Sequence, residues 1–190
     1  MGYYELEVAG LKRSLPIVNL GNNVAIASFV MLGDSELNCR CAQEFLNIFP
    51  GEFDYLVVPE AKAIGLAQAI CQMSANESYK DYIVLRKGVK AYMNSPIVRG
   101  VRSITTSEKQ VMVLAREDAE KMGGKRVYTI DDVVSTGSSY NAMIDIVQEA
   151  GGKIGFSGAV LREGRFDISS IEKKIGFPIS FLGNLPLFKT

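Results

Sequence analysis

The chain has 190 residues, 47% of them hydrophobic, with 21 basic and 21 acidic side chains. That length suits one domain with one sizeable core, and the neutral balance excludes the charge excess of a polyanion-binding surface, so no nucleic acid is expected as a partner. The longest apolar run, residues 24–32, is broken by Ser28 and too short for a bilayer crossing, and the opening MGYYELEVAG is acidic without a signal core; a soluble cytoplasmic protein with no membrane partner is expected.

In chain order, residues 3–18 offer strand-like pieces, YYELEV and LPIV, around Gly10 and Pro16, and Gly21-Asn22-Asn23 marks a turn. Residues 1–33 read as a hood beside a core of residues 34–190 in a single domain. Leu37, Cys41, Phe45 and Ile48 recur at helical spacing after Asp34, the expected N-cap, and Pro50-Gly51 stops that helix. Residues 54–58 (DYLVV) read as a buried strand. The turn PEAKAIG leads from it into an apolar helix, so a lysine sits in a strand-turn-helix context that suits an anion. Residues 82–86 form the next strand and end in RKGVK, where Arg86, Lys87 and Lys90 gather positive charge. No period persists from 91 to 102, which favours a loop, and residues 103–106 and 110–115 suggest a hairpin around Ser107-Glu108-Lys109.

The most informative stretch is 127–139, VYTIDDVVSTGSS. A β-branched run ends in Asp131 and Asp132, and a Ser-Thr-Gly-Ser-Ser turn opens a helix over 138–150 that stops at Gly151-Gly152. Adjacent carboxylates accept hydrogen bonds from a vicinal diol or hold a hydrated cation, and hydroxyls with backbone N–H groups at a helix N-terminus suit a phosphate. A sugar phosphate satisfies both halves. Further strands at 154–161 and 178–182 flank a short helix at 169–175. Alternation of strands and helices implies an α/β fold with a mainly parallel central sheet flanked by helices, whose ligands bind at the carboxyl ends of the strands. Cys39, Cys41 and Cys71 lack zinc-site spacing and read as packed thiols. With no histidine in the chain, any general acid or base must be Asp, Glu, Lys, Tyr, substrate or water.

Neither G-x-x-x-x-G-K-[ST] nor a dinucleotide glycine pattern in the right context occurs. What remains resembles the type I phosphoribosyltransferases, whose 5-phosphoribosyl-1-pyrophosphate (PRPP) motif is an apolar strand, two acids, two apolar residues and a Ser/Thr-Thr-Gly-Ser/Gly-Ser/Thr turn. Every class of position is filled here. The resemblance runs from about residue 54 to 152 and is greatest to the adenine phosphoribosyltransferases: DYLVVPEAKAIG is similar to their pyrophosphate loop and YIVLRKGVK to their R-K-x-x-K segment. It implies that Asp131 and Asp132 hold the ribose hydroxyls and, through PRPP, a Mg²⁺ ion. It implies that Ser135, Thr136, Gly137, Ser138 and Ser139 cradle the 5′-phosphate, and that Glu60, Ala61, Lys62, Arg86, Lys87 and Lys90 attend the pyrophosphate. Lys62, Arg86 and Asp132 would be the catalytic residues, a loop near 92–110 would close over the substrates, and a homodimer is usual.

The implied reaction passes through an oxocarbenium-like state, with negative charge growing on the leaving pyrophosphate, where cations stabilise it. Loop closure, with Tyr92, Arg99 and Arg102 as candidate contacts, would exclude water. The acceptor base is less marked. The aromatic-arginine-aspartate segment common in the adenine enzymes is missing, as is their loop Tyr-Gly pair, and Val24, Ala25, Ile26 and Phe29 offer an apolar slot instead. Leu161, Arg162 and Glu163 are candidates to border the base, and the lipophilic tail (Phe181, Leu182, Leu185, Leu187, Phe188) is expected to pack on the hood or on a second subunit. Adenine is the favoured acceptor; xanthine, guanine, orotate and a non-catalytic PRPP-sensing role are the alternatives.

Overall fold

The computed structural model describes residues 2–21, 23–74, 80–101 and 110–189. Strands β1 (Tyr3–Val8) and β2 (Leu11–Gly21) form an antiparallel hairpin through Ala9 and Gly10, both at positive φ, the turn geometry that matches strand twist. Strand β3 (Val24–Ala27) pairs with β2, and the chain then enters α1 (Ser35–Ile48). Asp34 caps α1 as expected, accepting the Leu37 N–H at 3.0 Å. Arg13 of β2 forks onto the same carboxylate at 2.7 and 3.1 Å and reaches Glu36 at 2.8 Å, tying the hairpin to the helix start.

Strand β4 (Tyr55–Pro59), helix α2 (Ile64–Met73) and strand β5 (Asp81–Leu85) follow, then β6 (Ile97–Val101) and β7 (Gln110–Leu114), which pair antiparallel. Here the structure corrects the reading of 91–102 as loop: Ile97–Val101 is a strand and is itself the hairpin partner of Gln110–Leu114. The five-residue strand is too short for a period to stand out beside Gly100 and Pro96. Residues 103–106, expected to be that partner, lie outside the described residues.

Helix α3 (Arg116–Met122), strand β8 (Arg126–Val134), helix α4 (Ser138–Glu149), strand β9 (Lys153–Glu163), helix α5 (Ser169–Ile175) and strands β10 (Ser180–Leu185) and β11 (Leu187–Lys189) complete the chain. The central sheet is parallel throughout, in the order β10-β9-β8-β4-β5, as the alternating pattern implies. Alternate residues of its strands feed two cores. Leu56, Val58, Tyr128 and Ile130 pack with α1 and α2 on one face, while Val57, Val127 and Ala159 pack with α4 and the β6–β7 hairpin on the other. Parallel strands buried on both faces need such double cover.

The N-terminal hairpin and β3 form a second sheet, ordered β1-β2-β3-β11, whose fourth strand comes from the C-terminus: Leu187 pairs with Ile26 and Lys189 with Val24. The tail thus packs on the hood-like sheet, one of its two expected partners. Cys41 and Cys71 are buried, and burial pushes each thiol up to about 12, whereas Cys39 is exposed. Among the described residues, no helix is long and apolar enough to cross a membrane.

Candidate active site

The cleft opens where two neighbouring strands part. β4 and β8 pair from Tyr55–Val127 only as far as Val57–Thr129, although β4 continues to Pro59 and β8 to Val134. The chain winds to opposite sides of the sheet from this point, the switch at which ligands bind in open α/β sheets. The PEAK turn lies on the β4 side of the gap and the paired acids on the β8 side.

Asp131 and Asp132 do not follow the strand, as the sequence suggests; they lie within it, since β8 keeps pairing with β9 as far as Val134. Aspartate weakens a strand by itself, but here Ala159 and Leu161 of β9 hold the backbone. Both acids are consequently buried, at 6% and 8% exposure. Asp131 Oδ1 accepts the Asp132 N–H at 2.8 Å. Burial pushes the Asp131 carboxyl well above the usual carboxylate range, the charge of Asp132 pushes the same way, and Lys62 opposes them. Asp132 Oδ2 lies 3.4 Å from Lys62 Nζ yet accepts no hydrogen bond among the described residues. A pair of buried carboxylate groups short of donors suits a ligand that brings hydroxyls.

On the far side, Glu60 Oε1 pairs with Arg86 at 3.3 Å and Glu60 Oε2 accepts the Lys87 N–H at 3.0 Å. The Lys87 N–H, followed by the charges of Arg86, Lys90 and Lys87, holds the Glu60 carboxyl below its ordinary range. Glu60 therefore ties the end of β4 to the end of β5 and aligns two cations. The Glu60–Ala61 peptide is cis. Ala61, Lys62, Arg86 and Lys87 line one lobe of the cleft, of about 200 Å³, with Asp131, Asp132 and Ser139. Arg86 Nε is buried and makes no hydrogen bond among the described residues. Lys90 does not line either lobe.

The second lobe, of about 540 Å³, shares Lys62, Asp132, Val133 and Ser139 with the first and holds the whole Ser135–Thr136–Gly137–Ser138–Ser139 turn. Gly137 is the N-cap of α4, at φ +80°, and as a glycine brings no side-chain cap of its own. A Cβ at Gly137 would meet Ile171 Cδ1 at 2.6 Å, so both conformation and space call for glycine. Ser138 and Ser139, the first residues of α4, line this lobe, and the free N–H groups of a helix's first turn suit an anion. Beneath the turn, Tyr140 donates to the Thr129 carbonyl at 2.9 Å and Thr129 Oγ1 meets Ser157 Oγ at 2.7 Å, a buried polar knot joining α4, β8 and β9.

Besides that turn, the same lobe is walled by Val24 and Ile26 from β3, Leu20, Phe166 and Leu187. Two of the apolar candidates therefore reach the cleft. Ala25 and Phe29 do not: both are buried, at 1% and 4% exposure, with Phe29 in the core of the α1–α2 face. Strand alternation explains Ala25, whose neighbours Val24 and Ile26 point the opposite way. Phe29 contributes its carbonyl instead, accepting from Lys62 Nζ at 3.3 Å. At the end of β9, Leu161 is buried in the core, and Arg162 turns to the Phe166 carbonyl at 3.0 Å and to the Phe181 ring; only Glu163 faces the lobe.

The loop candidates separate. Arg99 is ion-paired with Glu149 near the C-terminal end of α4, the opposite end of that helix from the Ser135–Ser139 turn. Tyr92 is 68% exposed and borders neither lobe. Arg102 lies outside the described residues. Sequence reading overlooked Phe166 as a lining residue, and it did not anticipate that Val101 and Met112 of the β6–β7 hairpin wall the cation lobe. Nothing local marks them, because each reaches the cleft through tertiary packing.

No family model matches the chain. Among curated proteins it is 24% identical over 185 residues to a hypoxanthine/guanine phosphoribosyltransferase of Aciduliprofundum boonei, covering 93% of this chain and 94% of the relative. It is 29% identical over 148 residues to an adenine phosphoribosyltransferase of Bifidobacterium longum, covering 77% and 70%. Among solved structures, the adenine phosphoribosyltransferase of Thermoanaerobacter pseudethanolicus superposes with a TM-score of 0.65 at 17% identity, covering 81% of this chain and 84% of that one. The chain has the fold of the adenine phosphoribosyltransferases, and its sequence resembles phosphoribosyltransferases over most of its length.

Proposed function

We propose that the chain, which shares the type I phosphoribosyltransferase fold, transfers the 5-phosphoribosyl group of PRPP to a purine, adenine being favoured, and releases pyrophosphate. One observation carries the reading: a single cleft holds, in order, a helix N-terminus, a buried pair of acids and a cluster of cations. PRPP presents the matching order of 5′-phosphate, vicinal diol and pyrophosphate. The names of the relatives, hypoxanthine/guanine and adenine phosphoribosyltransferase, support the same donor.

In this reading the Ser135–Ser139 turn and the α4 N-terminus bind the 5′-phosphate, and Asp131 and Asp132 accept from the two ribose hydroxyls. The C1′–oxygen bond to pyrophosphate breaks as the bond from C1′ to a purine nitrogen forms; the pyrophosphate leaves with the electron pair, and the proton released by the base passes to it or to water. Lys62, Arg86 and Lys87 meet the charge growing on the leaving pyrophosphate, while the Asp132 carboxylate lies on the side of the sugar, where positive charge grows. The antiparallel sheet of β1, β2, β3 and β11 serves as the hood over the base.

A Mg²⁺ ion fits this site only through its substrate. Asp131 and Asp132 are two carboxyl groups, and among the described residues no group of three or more His, Cys, Asp or Glu comes together as a metal site, so most ligands would be oxygens of PRPP. Bound there, the ion would neutralise pyrophosphate charge. The family resemblance supports a cytoplasmic homodimer engaged in purine salvage.

A second reading, acceptance of 6-oxopurines, is favoured by the near full-length match to the hypoxanthine/guanine relative. Incubation with Mg²⁺-PRPP and each of adenine, hypoxanthine, guanine, xanthine and orotate, following nucleotide and pyrophosphate, decides between them. AMP formation is expected. Product from no base contradicts the proposal.

A further inference from the structure

We propose that Glu163 reads the acceptor base, taking a hydrogen bond from the exocyclic amine of adenine and disfavouring a keto oxygen at the same ring position. The inference rests on the phosphoribosyltransferase reading above.

Once Lys62 and Asp132 are assigned to the PRPP end, Glu163 is the one charged side chain left in the wall of the large lobe among the described residues. It stands at the carboxyl end of β9, where its register partner is Leu185 of β10. Val24, Ile26, Phe166 and Leu187 supply the rest of this end of the lobe. Apolar walls with one charged group suit a heterocycle whose orientation that group sets.

A carboxylate repels phosphate, so Glu163 cannot belong to the phosphate-binding set despite its place beside Ser135. Burial, with the charge of Asp132, pushes the Glu163 carboxyl up, while the Ser135 hydroxyl and Lys62 hold it down; a donor from the ligand would favour its charged form further. The donors that adenine keeps after N9 is bonded to ribose are its amine hydrogens. Hypoxanthine places an oxygen there and carries its donor on the neighbouring ring nitrogen N1, so a carboxylate aligned on the 6-position faces another acceptor, a mismatch that discriminates in a site built for a donor.

The test titrates AMP, IMP and ribose 5-phosphate into the wild-type chain and into Glu163→Gln by calorimetry. Wild type is expected to bind AMP at least about tenfold more tightly than IMP, a difference of about 1.4 kcal/mol. Glutamine can turn either its oxygen or its amide hydrogens to the ring, so the variant should bring the two nucleotides within about threefold. Ribose 5-phosphate, which has no base, should bind both forms. An AMP-to-IMP ratio that is the same in both proteins, or a wild type that prefers IMP, overturns the role of Glu163 while leaving the enzyme reading intact. Ribose 5-phosphate that binds neither form overturns both.

Discussion

Lys62 Nζ stands 3.4 Å from Asp132 Oδ2 and 3.3 Å from the Phe29 carbonyl, bridging the acid pair of β8 and the chain that leaves β3. Lys62 is about half exposed, so its ion pair contributes little stability, roughly 0–1 kcal/mol. Its value lies in holding a positive charge where the two lobes meet. Lys62→Ala should therefore slow turnover by about 10²–10³, the usual effect of removing one group that stabilises developing charge. Purine binding should weaken far less, and the melting temperature should barely move. Steady-state rates with a binding titration check this, and an unchanged turnover number removes Lys62 from the site.

Asp131 should work against the stability of the fold. Its folded pKa lies above the unfolded value because burial and Asp132 disfavour the charge. The native state then holds a proton that the unfolded chain has released, so stability is greatest below the unfolded carboxylate range and falls as pH rises toward the folded pKa. Asp131→Asn keeps an oxygen for the Asp132 N–H and should remove that slope, raising stability at neutral pH by about 1–3 kcal/mol. It should abolish binding of PRPP at the same time. Denaturant unfolding of both proteins between pH 4 and pH 8 measures this (a pH window of about four units suffices); parallel curves contradict the assignment.

Gly137→Ala should damage the phosphate end. The substitution places a side chain at φ +80° and drives a methyl group to 2.6 Å from Ile171 Cδ1. A loss of about 1–3 kcal/mol in unfolding free energy is expected, with a larger proportional loss in affinity for ribose 5-phosphate as the start of α4 shifts. Equal affinity in the variant would show that the turn does not hold the phosphate.

Arg99 provides the contrasting case. Paired with Glu149 of α4, it fastens the β6–β7 hairpin to the helix and stands apart from both lobes. Arg99→Ala should cost no more than about 1 kcal/mol and leave the affinity for PRPP unchanged. A PRPP affinity lowered tenfold or more, about 1.4 kcal/mol, would return Arg99 to the site.

What was legible in the sequence was local. The Asp34 cap, the limits of α5 and the β8–turn–α4 unit each depend on residues a few positions apart, and all three stand in the structure. The acids proved less simple, because the strand extends through Asp131 and Asp132 only with the support of Ala159 and Leu161, some 28 positions further on. Closure of the antiparallel sheet by Leu187 against Ile26 joins the two ends of the chain, and no spacing rule points to it. The pairing of Arg99 with Glu149 is equally non-local. Long-range pairing therefore decides the apolar wall of the large lobe, where Ala25 and Phe29 gave way to Phe166 and Leu187.

The central claim is that Asp131 and Asp132 hold the diol of PRPP between the phosphate turn and the cations. Titration of Mg²⁺-PRPP into the wild-type chain and into the Asp131→Asn/Asp132→Asn variant tests it most directly. Saturable binding by wild type and affinity at least about a hundredfold weaker in the variant, about 2.7 kcal/mol, is the predicted result; equal affinity in the two proteins contradicts the account.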